Sequence, residues 1–324
     1  RSSAASDVYK RQKYIGEEVD KAYIDSVKGL TIRKELVKEN ASDLKVIYTP
    51  IHGSGNMPVR RILNELGYTG VSVVKEQEMP DGNFPTASYP NPEEPAVFKL
   101  ALEMAKTENP DVIFATDPDA DRIGVVVKDS EGEYRVLTGN QTGLLLTQYI
   151  LDALKEEGRL PEDGVIIKTI VTTDGAKKIA EAYNIELMEV LTGFKYIGEK
   201  IQGFEVNKDK TYIFGFEESY GYLAGDFVRD KDAVIAAMLI AEMTLFYKEK
   251  GKSLYDGLVE LYEKYGYFKE TLVSFELKGK EGSEKISKCI DSLRNENLVE
   301  VNGVKVVTKY DYTVSYTHLR AHET

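Results

Sequence analysis

The 324-residue sequence holds one cysteine, three histidines and no apolar run long enough to span a membrane. Cys289 has no second cysteine to pair with, so an internal disulfide is excluded. With no signal-peptide pattern and no membrane-spanning run, the expected compartment is the cytoplasm, and no membrane partner is expected. Basic charge is also scarce. Lys and Arg number 42 against 54 Asp and Glu, a formal net charge of −12 and a pI near 5.0. That balance excludes the basic face of a non-specific nucleic-acid binder. It leaves small anionic ligands open, because a few local Arg and Lys residues can outweigh the global charge. Low-complexity tracts and short-period repeats are missing too.

What is present is the composition of an ordinary globular protein, 42% hydrophobic and 30% charged, in a chain long enough for two or three domains. The two ends, "RSSAASDVYKRQ" and "VSYTHLRAHET", have no period and do not blend with their neighbours. They read as non-native sequence, which leaves His52 as the one native histidine.

Between these ends strand and helix signals alternate. "LKVIYT" (44–49), "VSVVKEQ" (71–77) and "DVIFAT" (111–116) predict strands, and "IGVVVKD" with "YRVL" predicts a hairpin about Glu131-Gly132. Helices are predicted at 58–67, with Pro58 first, and within 92–109. The alternation then restarts, with strands "GVIIKTIV", "IELMEVL" and "TYIFGFEE" and helices between them, among them a short "KYIGEKIQG" and a long "DAVIAAMLIAEMTLFYKEKG". Beyond residue 267 come a strand "KETLVSFEL", a helix "SEKISKCIDSLRNE" and a hairpin turning at Asn-Gly. The fold class is therefore α/β, in consecutive mixed-sheet units. The boundaries read as 1–41 (non-native start and linker helix), 42–137, 138–266, a partial unit 267–313, and a non-native 314–324.

Asp117, Asp119 and Asp121 in "ATDPDADRIG" alternate directly after an apolar strand. In extended chain alternate side chains share a face, so three carboxylates converge. Unpaired they would repel and resist ionisation, and a hard divalent cation relieves this. An EF-hand is excluded, because Arg122 stands where glycine is required and Lys128 where glutamate is required. Arg122 beside the three acids suits a phosphate oxygen on the metal; the bland alternative is a solvated acidic turn.

The loop "TPIHGSGN" (49–56) lacks both the Rossmann and the Walker spelling, though its backbone could face an anion. His52 is either an acid–base group or a loop-internal hydrogen-bonder. "GFEESYGYL" offers Glu217 and Ser219 on one side of extended chain, suited to sugar hydroxyls, or else a surface turn. "LTGFKYIG" offers Thr192, Gly193 and Lys195, and "RDKDA" offers Arg229 and Lys231 before a helix. Plain capping by Asp230 or Asp232 is the alternative for the last of these.

Taken together, "YTPIHGSG", "PDGNFPT…PNPEE", "DPDADR", "TGFK", "GFEESYG" and "RDKD", in this order, resemble the α-D-phosphohexomutase superfamily, the phosphoglucomutases and phosphomannomutases, from about Lys45 to Tyr267. The spellings are most similar to the bacterial phosphoglucomutase branch. The resemblance implies family domains 2 and 3 plus a partial domain 4. It implies Mg²⁺ on Asp117, Asp119 and Asp121, and Arg122 near the transferring phosphate. Glu217 and Ser219 would hold sugar hydroxyls with Thr192 and Gly193. Lys195 and Arg229 would contact substrate, and Lys231 would manage a proton or contact phosphate. The implied reaction interconverts a hexose 1-phosphate and 6-phosphate, most simply of glucose, through a phosphoserine and glucose 1,6-bisphosphate. A mannose or pentose phosphate, or a non-catalytic sugar-phosphate or metal-binding module, are the alternatives. An aspartate-nucleophile phosphatase also uses Asp-x-Asp, but needs the pair early in the chain.

The family's Thr-Ala-Ser-His-Asn-Pro nucleophile loop and its Arg-Pro-Ser-Gly-Thr loop are not found, so the chain is expected to be truncated at both ends and inactive alone. "TASYPNP" imitates the first of these, but Ser88 lies upstream of the aspartates in the same unit. It is expected to sit in a rigid, proline-flanked loop rather than carry phosphate.

Overall fold

The computed structural model describes residues 15–270 and 277–312. The chain divides between Phe268 and Lys269 into two compact units.

The first unit opens with helices α1 (Gly16–Gly29) and α2 (Lys34–Asn40). A five-stranded sheet follows, β1 (Lys45–Thr49), β2 (Gly70–Val73), β3 (Val112–Thr116), β4 (Ile123–Lys128) and β5 (Tyr134–Leu137), in the order β2-β1-β3-β4-β5. β1 runs parallel to β2 and β3, while β4 and β5 are antiparallel additions. The crossovers carry α3 (Asn56–Glu65), a single turn α4 (Lys75–Glu78) and α5 (Lys99–Glu108). Strand periodicity explains why these strands read as continuous apolar runs. Val46, Tyr48, Val112, Phe114, Val125 and Val127 enter one core, while Ile47, Ile113, Ala115 and Val126 enter another on the opposite face.

A second sheet repeats the plan after α6 (Gly139–Glu156), whose start is closed by a Thr138–Gln141 capping box. Strands β6 (Gly164–Thr169), β7 (Glu186–Val190), β8 (Thr211–Phe216) and β9 (Tyr222–Ala224) lie in the order β7-β6-β8-β9, the last antiparallel. Helices α7 (Gly175–Ala182) and α8 (Phe194–Asn207) make its crossovers, and α9 (Ala233–Glu249) and α10 (Leu254–Tyr265) follow. Three parallel strands followed by an antiparallel one thus recur in the same spatial order in both sheets, with β5 added beyond the antiparallel strand in the first.

Helix α9 is apolar nearly all round because it is buried nearly all round, packing on β3, β4, β9, α3 and α6. Among the described residues no helix is long and apolar enough to cross a membrane. Its Glu242, fully buried, accepts the amides of Ile32 (3.1 Å) and Arg33 (2.8 Å) and the Tyr149 hydroxyl (2.7 Å). This carboxylate docks the α1–α2 connection onto the body of the unit.

The second unit contains α11 (Gly279–Asn295) and a two-strand hairpin, β10 (Glu300–Val301) and β11 (Val304–Lys305). Asn302 and Gly303 both have positive φ, at 49° and 80°, as the two-residue turn requires. Ile286, Ile290 and Leu293 on α11 are exposed.

Several expectations differ in extent. The strand over 71–77 stops at Val73 and becomes the turn α4. The helix expected to begin at Pro58 begins at Asn56, and that within 92–109 is a 3-10 turn (Pro95–Phe98) followed by α5. "KYIGEKIQG" belongs to a helix of 14 residues, because Phe194, Ile197 and Ile201 keep its buried stripe in register. Most of the expected strand "KETLVSFEL" lies outside the described residues.

Candidate active site

The aspartate loop joins β3 to β4. Three carboxylates converge there, but not through extended chain. Asp117 Oδ1 accepts the amides of Asp121 (3.0 Å) and Arg122 (2.9 Å), and Ala120 takes a left-handed conformation with φ +58°. The loop therefore curls around its first carboxylate. Asp117, Asp119 and Asp121 bring one carboxylate oxygen each within 4.8 Å of one another. Burial, with the neighbouring acids adding to it, pushes the Asp117 carboxyl up to about 7. Asp121 Oδ1 is buried and has no hydrogen-bond partner among the described residues. Crowded hard oxygens with one buried oxygen unsatisfied fit a divalent cation such as Mg²⁺.

Arg122 leans back over the loop. Its Nε lies 3.9 Å from Asp117 and 3.8 Å from Asp121, and its Nη1 donates to Glu93 Oε1 at 3.2 Å. Glu93, whose carboxyl is raised by burial, belongs to the "PNPEEP" loop and had no role in the sequence reading. Nothing in its spacing marks it, since its partner lies 29 residues away.

"TPIHGSGN" packs against this loop differently from the expectation that its backbone faces an anion. The amides of His52, Gly53 and Ser54 donate to Gln77, Pro50 and Pro118 carbonyls. His52 is hydrogen-bonded through both ring nitrogens, to the Met79 carbonyl (3.1 Å) and the Thr86 hydroxyl (2.9 Å). It tethers the 79–86 segment. Ser88 further along that loop is exposed.

The second sheet contributes the ends of its parallel strands, where α/β sheets ordinarily place ligands. After β7, Gly193 adopts φ +117°, a conformation that disfavours any side chain, and its amide donates to Glu217 Oε1 at 3.0 Å. Glu217 follows β8, is buried, and burial raises its carboxyl. The chain does not stay extended here. Glu218 and Ser219 form a turn closed by the Glu217 amide to the Gly221 carbonyl at 2.9 Å, so Ser219 is placed by the turn rather than by strand alternation. Glu218 is held by Thr169 (3.2 Å), the last residue of β6, and by Thr172 (3.1 Å) of the loop that follows. Thr192 is exposed beside Gly193.

Before α9, Lys195, Arg229 and Lys231 line a cavity of about 650 Å³ with Gly198, Val228, Asp230 and Asp232. Arg229 pairs with Glu205 and the Asp226 carbonyl. Asp232 caps α9 through the Val234 (2.8 Å) and Ile235 (3.0 Å) amides and accepts the Tyr23 hydroxyl at 2.7 Å. Capping and a cationic cavity thus coexist at this helix start. Burial opposes the charge on Lys231, yet Asp121 and Asp230 carry its pKa above the ordinary lysine value.

The two clusters meet. Lys231 Nζ lies 2.6 Å from Asp121 Oδ2. Arg122 pairs with Gly221 as an isolated antiparallel bridge, Ile123 N donates to Tyr220 O at 3.1 Å, and Ala233 N donates to Ala120 O at 3.0 Å. The aspartate loop, the Glu217 turn and the start of α9 therefore share one hydrogen-bonded junction.

Comparison with known proteins identifies the domains that carry these loops. Residues 21–132 match phosphoglucomutase/phosphomannomutase, alpha/beta/alpha domain II, and residues 138–265 match alpha/beta/alpha domain III. The chain belongs to the phosphoglucomutase/phosphomannomutase family. It is 37% identical over 302 residues to a phosphoglucomutase of Staphylococcus saprophyticus, covering 93% of this chain and 53% of that protein. The chain spans about half the length of the curated relatives it matches. Among solved structures, a family protein from Burkholderia thailandensis has a TM-score of 0.54 at 19% identity, covering 70% of this chain and 46% of the other. Parafusin, a phosphoglucomutase from Paramecium, has a TM-score of 0.56 at 19% identity, covering 76% and 42%. These two likenesses concern the fold.

One further candidate escaped the sequence reading. Lys168, next to last in β6, is fully buried, 2.6 Å from Glu189 and 3.3 Å from Asp174, and donates to the Thr172 carbonyl at 2.9 Å. A lysine inside "GVIIKTIV" was the available signal, because buried lysines are rare without a task.

Proposed function

We propose that this chain supplies the cation-binding and sugar-binding parts of a phosphoglucomutase, which interconverts glucose 1-phosphate and glucose 6-phosphate through glucose 1,6-bisphosphate. Domains 42–137 and 138–266 are the two parts, and 267–313 begins a further one. The curated relatives named phosphoglucomutase support the reaction and the choice of glucose over mannose. The observation that carries the reading is the 2.6 Å contact of Lys231 with Asp121, because it sets an oxygen-donor loop against a cation-lined cavity. Phosphoryl transfer between sugar oxygens needs that pairing.

In this reading Asp117, Asp119 and Asp121 hold Mg²⁺, which when bound offsets the charge that accumulates as a phosphoryl group moves. Arg122, braced by Glu93, directs its guanidinium at the phosphoryl group entering the loop. Glu217 accepts from a sugar hydroxyl through the oxygen that Gly193 leaves free, and Ser219, Thr192 and Gly193 complete the hydroxyl contacts. Lys195, Arg229 and Lys231 take the phosphate that is not reacting, fixing which end of the sugar faces the aspartate loop.

The test is calorimetric binding of glucose 1,6-bisphosphate in the presence of Mg²⁺, with mannose and ribose 1-phosphates alongside. Saturable binding that is lost in Glu217→Ala is expected. Absence of binding at millimolar ligand refutes the reading.

A further inference from the structure

Lys231 has two sets of neighbours. On one side its Nζ is 2.6 Å from Asp121 Oδ2 and 3.3 Å from Asp230 Oδ1. On the other it lines the cavity with Lys195 and Arg229. Of these three cations, Arg229 is tied to Glu205 and to the Asp226 carbonyl, and Lys195 is exposed, its ammonium 4.9 Å from the Tyr196 ring centre. Only Lys231 touches the aspartate loop. Its stem passes directly over Gly221, where an added Cβ would lie 2.5 Å from Lys231 Cδ. Gly221 therefore clears the path that lets one ammonium reach both the carboxylate and the cavity.

An ammonium is a compact point charge on a flexible stem, so it can change partner without moving backbone. A cation bound by the Asp121 carboxylate competes with Lys231 for the same negative charge. An anion in the cavity competes with Asp121 for the same ammonium. We infer that Lys231 is a shared counter-ion that couples the two sites: divalent cation on the aspartate loop releases Lys231 to phosphate, and phosphate in the cavity releases Asp121 to the cation. The inference rests on the cation-binding reading of the aspartate loop proposed above. Linkage makes the effect reciprocal, each ligand changing the other's affinity by the same factor.

The experiment uses the 324-residue chain. Mn²⁺ binding is followed by the paramagnetic resonance of free ion, with and without glucose 1-phosphate, in wild type, Lys231→Met and Lys231→Arg. Without sugar phosphate, Lys231→Met binds Mn²⁺ roughly fivefold or more tightly than wild type, because the competing charge is gone. Glucose 1-phosphate raises the Mn²⁺ affinity of wild type, and that rise is at least halved in Lys231→Met. Lys231→Arg, which keeps the charge, stays near wild type. A second variant approaches from the other side. Asp121→Asn removes the carboxylate charge that holds Lys231, so it binds glucose 1-phosphate more tightly than wild type when no metal is added. If wild type binds Mn²⁺ but Lys231→Met binds it equally or less tightly, the coupling is refuted and the cation site stands. If Asp121→Asn binds glucose 1-phosphate no better, the coupling is also refuted. If no protein binds Mn²⁺ at millimolar concentration, the cation reading falls and this inference with it.

Discussion

The amide of Gly193 donates to Glu217 Oε1 at 3.0 Å, tying the loop after β7 to the loop after β8 across the sheet. β6 lies between those two strands, so this contact bridges over the end of the middle one. The contact exists because Gly193 holds φ +117°. Replacing it with alanine forces a side chain into a conformation that costs about 1–3 kcal/mol. Gly193→Ala should therefore lower the melting temperature and weaken glucose 1,6-bisphosphate binding together, as seen by thermal unfolding and calorimetry. An affinity unchanged in a destabilised variant would separate Gly193 from the ligand site.

Asp119 is the exposed member of the aspartate trio, so its replacement disturbs little packing. Asp119→Asn should weaken Mn²⁺ binding at least tenfold while leaving metal-free stability within about 0.5 kcal/mol of wild type, the usual range for a surface change. In wild type, cation at one hundred times its dissociation constant should add about 2.7 kcal/mol to stability. Titration of the melting temperature with Mn²⁺ reads both effects.

Glu242 tests how the α1–α2 connection is held. Glu242→Ala strands the buried Ile32 and Arg33 amides and the Tyr149 hydroxyl, and should cost about 3–5 kcal/mol. Burial raises the Glu242 carboxyl in the folded state. A raised folded value favours the protonated form, so its stabilising contribution is present below the ordinary carboxylate range and is lost as pH rises through the folded value. Glu242→Gln is neutral throughout. Its stability relative to wild type should improve steadily as pH rises through that window, measured by urea unfolding; a constant difference across pH would contradict the sign.

Ser88 should be dispensable. It is exposed, in a segment whose tether is the Thr86–His52 contact of 2.9 Å. Ser88→Ala should keep the melting temperature and the bisphosphate affinity of wild type. Incubation with glucose 1,6-bisphosphate should leave Ser88 unlabelled. Phosphate found on Ser88 by mass spectrometry would overturn the loop reading.

The α/β class, the strand that ends at Thr116, the Asp117–Asp119–Asp121 trio and the Asn302–Gly303 turn were all legible in the sequence, because each is set by neighbours within a few residues. Apolar runs mark buried strands, alternation of acids marks a shared ligand, and Asn-Gly supplies positive φ. Even so, the trio converges by a curl about Asp117 rather than by strand alternation, since two backbone amides outweigh extension. The lengths of β2 and α8 were less legible, because core packing rather than local propensity decides where they stop.

What the sequence by itself determined is the set of local parts: an oxygen-donor loop, a glycine at 193, a Glu217 carboxylate and a cationic helix start. Only the tertiary structure decided how they act on each other. The pairings of Lys231 with Asp121, Arg122 with Glu93 and Gly193 with Glu217 join residues 110, 29 and 24 positions apart. Such contacts arise only after α9 is buried between two sheets and their loop ends are brought to one side. The physical reason is range: propensity and periodicity act over a turn or a strand, whereas charge pairing acts through space wherever packing brings the charges together.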